Sequence, residues 1–124
     1  GWNTDRFPAF YTRDSGVGVT ATVRTGADVA AMMTAAADLG HPGGVLVANP
    51  IPEAAELDPD RINAALDAAL AEVAAKGLRG PAVTPLVLAA IADATDGDSI
   101  PANLALAENN AIVAAEIASA VAAG

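Results

Sequence analysis

Short apolar stretches alternating with longer amphipathic ones predict an α/β fold for this chain. Three observations carry that prediction. Val17, Val19, Ala21 and Val23 alternate with Gly18, Thr20, Thr22 and Arg24, the period of two expected of a half-buried strand. Val45-Leu46-Val47-Ala48 is an unbroken apolar run of the kind found in strands buried on both faces. Around these runs, apolar residues recur three and four apart over stretches long enough for helices. The 124 residues suit one domain with a single core, and no stretch is polar enough to act as a linker.

The elements follow in order. Residues 1–16 hold both phenylalanines, the only Tyr and the only Trp, and read as an extended segment and loop ending at Asp14-Ser15-Gly16. After the first strand, Thr25 and Asp28 form a capping box that opens a helix through Val29, Met32, Met33, Ala36 and Leu39, stopped at Gly40. His41-Pro42-Gly43-Gly44 is a turn, and the second strand follows it, ended by Asn49-Pro50-Ile51-Pro52. Asp58-Pro59 starts a second helix with the stripe Ile62, Leu66, Ala69, Leu70 and Val73, closed by Lys76-Gly77. Ala82-Val83 reads as a minimal third strand, and Thr84-Pro85 as the cap-plus-proline start of a helix over about 85–94. Asp96-Gly97 turns the chain, Ser99 can cap, and a long helix fills about 101–123.

Six Lys plus Arg against fifteen Asp plus Glu give a net charge of −9. That balance argues against nucleic acid, whose phosphates need clustered cations, and against a basic helix lying on a membrane. No uninterrupted apolar run reaches the roughly 18 residues of a membrane span, because Glu108 and Glu116 interrupt the last helix. The opening residues lack a signal-peptide layout, and cysteine is absent, so there is no disulfide framework, thiol nucleophile or Cys-ligated zinc. A cytoplasmic globular chain is the expectation. Alanine makes up about a quarter of the residues, and alanine faces bury little area each, so close-packed neighbours are needed. The start at Gly1 reads either as a trimmed terminus or as a chain that begins partway through a larger protein.

Candidate ligand contacts lie where strands end. Asn49-Pro50 and Thr84-Pro85 both follow apolar runs and precede helices, the place where open α/β sheets bind ligands and where helix amides can hold an anion. The plainer reading is that Thr84 and Asp58 only cap helices. Asn103, Asn109 and Asn110 fall in a run of eight inside a helix, which disfavours asparagine, and positions 103 and 110 share a face. A half-buried amide must find partners, so these side chains either tie down another element or meet a ligand. His41 sits alone in its turn, and Glu53, Glu56 and Asp58 lack calcium-loop spacing. No nucleophile-elbow, phosphate-loop, dinucleotide or zinc motif is present. The chemistry is that of a ligand-capable layer without its own nucleophile and base.

Four segments in order across the chain carry a resemblance. Gly1-Trp2-Asn3-Thr4-Asp5-Arg6-Phe7-Pro8-Ala9-Phe10-Tyr11 is similar to G-Y-x-T-x-x-F-P-A-F-Y, and the segment from Gly43 to Glu53 to G-G-x-L-x-A-N-P-I-P-E. The segment from Gly77 to Pro85 is similar to G-I-x-G-K-x-V-T-P-F, and Ser99 through Ala111 to S-L-x-x-N-I-x-L-x-x-N-N-A. Together they resemble the pseudouridine-5′-phosphate glycosidases, also called indigoidine synthase A-like proteins, of which this chain matches the C-terminal part. The resemblance implies a portion of a three-layer α/β/α sandwich with a mixed sheet, assembled as a homotrimer.

It further implies reversible cleavage of the carbon–carbon glycosidic bond of pseudouridine 5′-phosphate to uracil and ribose 5-phosphate. In the family a Schiff-base lysine, a glutamate acid/base and an aspartate-held manganese ion come from the N-terminal part, which this chain lacks. No catalytic residue and no metal ligand is therefore expected here, and Lys76, the only lysine, is not that nucleophile. Asn103, Asn110, Thr84 and Asn49 are the expected contacts to a phosphosugar substrate, with the N-terminal part as partner. Arg6, Pro81 and Leu86 depart from a glutamate, a lysine and a phenylalanine common in the family. The last two point to an acceptor pocket altered toward a larger apolar aglycone, as in a C-glycosynthase joining ribose 5-phosphate to an aromatic polyketide. A non-catalytic binding or assembly module is the alternative from a different class.

Overall fold

The computed structural model describes residues 1–124. Its regular elements are helices: α1 (Gly26–Asp38), α2 (Pro59–Lys76), α3 (Val83–Ala94) and α4 (Ser99–Ala123), with single 3-10 turns at Glu53–Ala55 and Gly80–Ala82. Local chemistry sets the ends of the first two. Thr25 Oγ1 accepts the Asp28 amide at 3.2 Å, while the Asp28 carboxylate accepts the amides of Arg24 and Thr25 at 2.9 and 3.0 Å. This is the capping box expected from the sequence. Asp58 accepts the amides of Asp60 and Arg61 above Pro59 at the first helical position. Gly77, at φ +62°, lets the chain leave α2 in the left-handed conformation that side chains disfavour.

The strands expected at 17–23, 45–48 and 82–83 do not form ladders in this chain. Residues 17–23 are extended but kinked, and pair only at two isolated bridges, Trp2 with Val23 and Arg6 with Gly18. Residues 44–51 are extended without regular pairing. A strand is stable only with neighbours, and neither segment has a full one here. The third is a correction of a different kind. Pro81, with its fixed φ, lies inside a 3-10 turn that runs directly into α3, so Ala82-Val83 is helical. Thr84 accordingly lies within α3 and caps nothing; the N-cap position falls on Ala82, with no side-chain bond. Ser99 likewise begins α4 rather than capping it, and its amide donates to the Thr95 hydroxyl at 3.2 Å.

Packing divides into two apolar clusters. Tyr11, Ile51, Ile62, Ala65, Ile91, Ala102 and Leu106 form one, between the Tyr11 loop, α2, α3 and the start of α4. Trp2, Val23, Val29 and Val113 form the other, with Val47 and Ile117 against it, between α1, the extended segments and the later turns of α4. The inward positions of α4 fall at 102, 106, 113 and 117, a helical stripe that serves both clusters in turn. By length and composition α4 is long and apolar enough to cross a membrane, although Glu108 and Glu116 interrupt its apolar run.

Where α1 begins, it lies almost on the backbone of α4. A Cβ on Gly26 would stand 2.7 Å from the Glu116 carbonyl oxygen, and the Gly26 amide donates to the Glu116 carboxylate at 2.8 Å. An acidic side chain from one helix thus satisfies the first orphan amide of another, with favourable dipole sense. The core is thin. The chain exposes 7740 Å², whereas a folded monomer of 12.2 kDa exposes roughly 6,100 Å².

Two outcomes follow for stability. Gly26→Ala should cost about 1–3 kcal/mol, because the contact it creates is with backbone that cannot rotate away; thermal unfolding measures it, and an unchanged midpoint would mean that α1 and α4 are farther apart. Asp28 titrates below its ordinary 3.8, chiefly because its carboxylate accepts the Arg24 amide and then the Thr25 hydroxyl and amide. Its contribution is therefore complete above about pH 3.8 and lost as pH falls through the depressed folded value. Circular dichroism of Asp28→Asn should show a smaller loss of helicity across that acid range than the parent chain.

Candidate functional site

The segment leaving the second extended run is fastened to α4 by amides. Asn49 Nδ2 donates to Asn110 Oδ1 at 2.9 Å, and Asn109 Nδ2 donates to Asn49 Oδ1 at 3.3 Å and to the Pro50 carbonyl at 3.2 Å. Asn109 and Asn110 lie between the inward positions Leu106 and Val113, so this amide cluster sits at the seam of the two apolar clusters. Pro50 and Ile51 are fully covered beneath it. Farther along the loop, Arg13 donates from Nη1 to the Ile51 carbonyl at 2.5 Å, and its amide donates to the Glu56 carboxylate at 2.7 Å. The Asn49-Pro50-Ile51 backbone is thereby held from both sides.

Of the four residues picked from the sequence, the structure brings together two. Asn49 and Asn110 are in direct contact and line one side of a small cavity of about 250 Å³ whose other walls are Val47, Val113, Ala114 and Ile117. Asn103 lies seven residues before Asn110 on an exposed face of α4, and its side chain makes no hydrogen bond within the chain. Thr84 is exposed on the first turn of α3 and lines neither this cavity nor the larger cleft between residues 18–21 and 43–48. Asn109, named in the asparagine run but not among the expected substrate contacts, is the amide that ties down another element. Its adjacency to Asn110 was the available signal, but which of two neighbouring amides turns inward depends on helix phase, and only the packing of α4 sets it.

The electrostatics are plain. The cavity carries neutral amides against an apolar wall, an arrangement that orients hydroxyls or the edge of a base without adding charge. No Lys or Arg lines it; Arg61 binds the Ala94 carbonyl and Asp96 at the end of α3, and Lys76 pairs with Glu72 one turn back on α2. No three His, Asp or Glu side chains gather where they could hold a metal ion, so the residues present do not fit a manganese site. Arg6 contacts Asp5 and Asp14 at the surface, Pro81 is exposed, and Leu86 is half-buried.

Removing the inward amide should be felt in stability. Asn109→Ala strips Asn49 and the Pro50 carbonyl of a donor and should cost about 1 kcal/mol. Asn103→Ala removes nothing that another residue uses and should leave the thermal midpoint within about 1 °C, a change of a few tenths of a kcal/mol. Equal losses from both substitutions would contradict this division of roles.

The sequence profile of the family described as Indigoidine synthase A like protein matches residues 1–120. A pseudouridine-5′-phosphate glycosidase of Symbiobacterium thermophilum is 48% identical over 124 residues, which is all of this chain and 40% of that enzyme. Enzymes of the same name from a Nocardioides species and Hahella chejuensis are 47% and 48% identical over 94% and 95% of the chain. The chain spans about two fifths of the length of these relatives. Among solved structures, the prealnumycin C-glycosynthase AlnA in complex with ribulose 5-phosphate superposes with a TM-score of 0.85 at 31% identity, over 99% of this chain and 40% of that one.

Proposed function

The chain belongs to the indigoidine synthase A-like family, and from that premise we propose that it supplies part of the substrate pocket of an enzyme that makes or breaks a carbon–carbon glycosidic bond to a phosphorylated pentose. Identity of 48% across its whole length to a pseudouridine-5′-phosphate glycosidase carries this reading. The amide cluster is the chemistry that supports it locally. Asn110 and Asn49, already fixed against each other, and Asn103, whose amide is unengaged, are the side chains that meet the sugar hydroxyls or the base. Thr84 is a further contact, exposed on the first turn of α3. Each of these groups binds and orients; none removes a proton or attacks carbon, since amides and an unactivated hydroxyl are poor bases and nucleophiles.

The reaction's nucleophile, its acid/base and any divalent cation therefore belong to the part of the family's length that these residues do not cover. A Schiff-base lysine there supplies the covalent chemistry. A cytoplasmic homotrimer is the working assembly in this reading, with the exposed apolar positions of α4, Ile100, Leu104 and Ile112, available for burial against other chain segments.

A second reading, synthesis in place of cleavage, draws on two observations. The fold likeness to a C-glycosynthase is close. Pro81 and Leu86 are less polar and less aromatic than the lysine and phenylalanine expected at those positions, and this suits a larger apolar acceptor.

The test is a chimera in which these 124 residues replace their counterpart in the Symbiobacterium enzyme. It should cleave pseudouridine 5′-phosphate, whereas the 124-residue chain alone should not. In the chimera, Asn103→Ala should lower kcat/KM at least tenfold, about 1.4 kcal/mol, without moving the thermal midpoint. Unchanged turnover would remove Asn103 from the pocket. Supplying ribose 5-phosphate with uracil or with a polycyclic aromatic acceptor separates the directions, and turnover with uracil alone would defeat the synthase reading. A folded chimera inert toward every substrate would favour a non-catalytic module.

A further inference from the structure

The asparagines at the seam of the two apolar clusters do more than fasten a loop. A side-chain amide has an acceptor at one end and two donors at the other, in nearly the same shape, so its partners decide which way round it sits. Here one partner permits no choice. The Pro50 carbonyl can only accept, and Asn109 Nδ2 donates to it at 3.2 Å. The opposite setting would place two acceptor oxygens against each other beside the buried Pro50. Asn109 therefore stands with its NH2 group toward Pro50 and Asn49.

That setting passes along the row. Asn109 Nδ2 also donates to Asn49 Oδ1 at 3.3 Å, so Asn49 turns its own NH2 to the far side, where it donates to Asn110 Oδ1 at 2.9 Å. Reversing any one member alone would set donor against donor or acceptor against acceptor. Asn110, last in the row, has its oxygen engaged, whereas its Nδ2 donates to nothing within the chain and the residue is exposed. Two residues adjacent in sequence thus stand at opposite ends of one relay. The first is anchored on main chain, and the second opens on the cavity walled by Val47, Val113, Ala114 and Ile117.

No Lys or Arg lines that cavity, so a phosphate would find no counter-charge there. A cationic group would meet the donor end of an amide. What suits it is an uncharged oxygen with a free lone pair, a carbonyl or a sugar oxygen, lying against an apolar wall. We infer that Asn109 is a positioning residue: by holding the Pro50 carbonyl it sets the polarity of the Asn109–Asn49–Asn110 relay, so that Asn110 presents its NH2 to an uncharged acceptor oxygen of the substrate. The substrate contact rests on the pocket proposed above; the polarity does not, since the unliganded chain already carries it.

Aspartate keeps the shape of asparagine without its donors, and in the chimera it separates the roles. Asn110→Asp retains the acceptor that Asn49 uses and loses only the outward NH2; it should raise KM about tenfold, more than it lowers kcat, with the thermal midpoint within about 2 °C. Asn109→Asp lets Asn49 turn its NH2 toward residue 109 and so reverses Asn110. KM should rise as much, and the double substitution should raise it no further, because the same donor is lost only once. A rise confined to KM for uracil supports the inference with a base carbonyl as the acceptor, and one confined to ribose 5-phosphate supports it with a sugar oxygen. An unchanged KM in Asn110→Asp would overturn it, as would an Asn109→Asp variant that loses thermal stability but keeps its KM. Neutron diffraction from the unsubstituted chimera reads the polarity whether or not the protein turns over: the Asn110 deuterons should point away from Asn49, and deuterons directed at Asn49 would overturn the inference. A chimera inert before any substitution would defeat the pocket, and the substrate contact with it, while the deuteron positions still decide the role of Asn109.

Discussion

Nearly everything in this structure depends on α4 being one continuous helix with two different neighbours. Its early turns give Ala102 and Leu106 to the cluster built with α2, α3 and Tyr11, and its later turns give Val113 and Ile117 to the cluster built with α1 and Trp2. The two clusters share no other element of comparable length. Their relative position is consequently fixed by helix geometry, about 1.5 Å of rise for each residue between them. The corner that starts α4 is similarly well defined: the buried Thr95 hydroxyl donates to the Ile91 carbonyl at 2.8 Å and accepts the Ser99 amide, joining α3 to α4 without a charged group.

The amide cluster occupies the one stretch of α4 where neither apolar cluster claims the inward positions. Asparagines there cost helix propensity, and the cost is offset by what they hold, the abrupt Asn49-Pro50 exit from an extended segment. Proline at 50 cannot donate to a ladder, so side-chain amides supply the fastening that main-chain pairing would otherwise give. Ligand contact and loop fastening, which compete as readings of the sequence, fall to neighbouring residues of the same run: Asn109 inward, Asn110 shared, Asn103 outward.

The caps expected of Thr84 and Ser99 were not borne out, but the helices were legible in the sequence, as were the caps of α1 and α2, because these are local. Thr25 with Asp28, Asp58 with Pro59, and Gly77 settle their ends within a few residues, whatever the rest of the chain does. The strands were legible only as patterns. Alternation at 17–23 and the apolar run at 45–48 record what those segments prefer, but a ladder needs a second strand, and pairing is a property of two segments at once. At 82–83 the pattern was too short to compete with Pro81, whose fixed φ favours a helical turn. The site was half legible. The resemblance and the helical spacing singled out Asn49, Asn103 and Asn110, yet Asn109 and the close approach of Gly26 to Glu116 depend on how helices are phased and spaced in three dimensions.

The alanines have a consequence beyond close packing. On α4, Ala107, Ala111, Ala114, Ala115 and Ala118 remain exposed although the helix itself is fully formed. An alanine has no rotamers to surrender, so covering this face freezes almost no side-chain motion, whereas a lysine or methionine would forfeit about 1.5–2 kcal/mol of conformational freedom each. The face gains little area per residue in return, which makes its contacts inexpensive in entropy but intolerant of poor fit. A surface of this kind discriminates by contour: it favours whatever matches its shape closely and gives a loosely fitting neighbour almost nothing to hold.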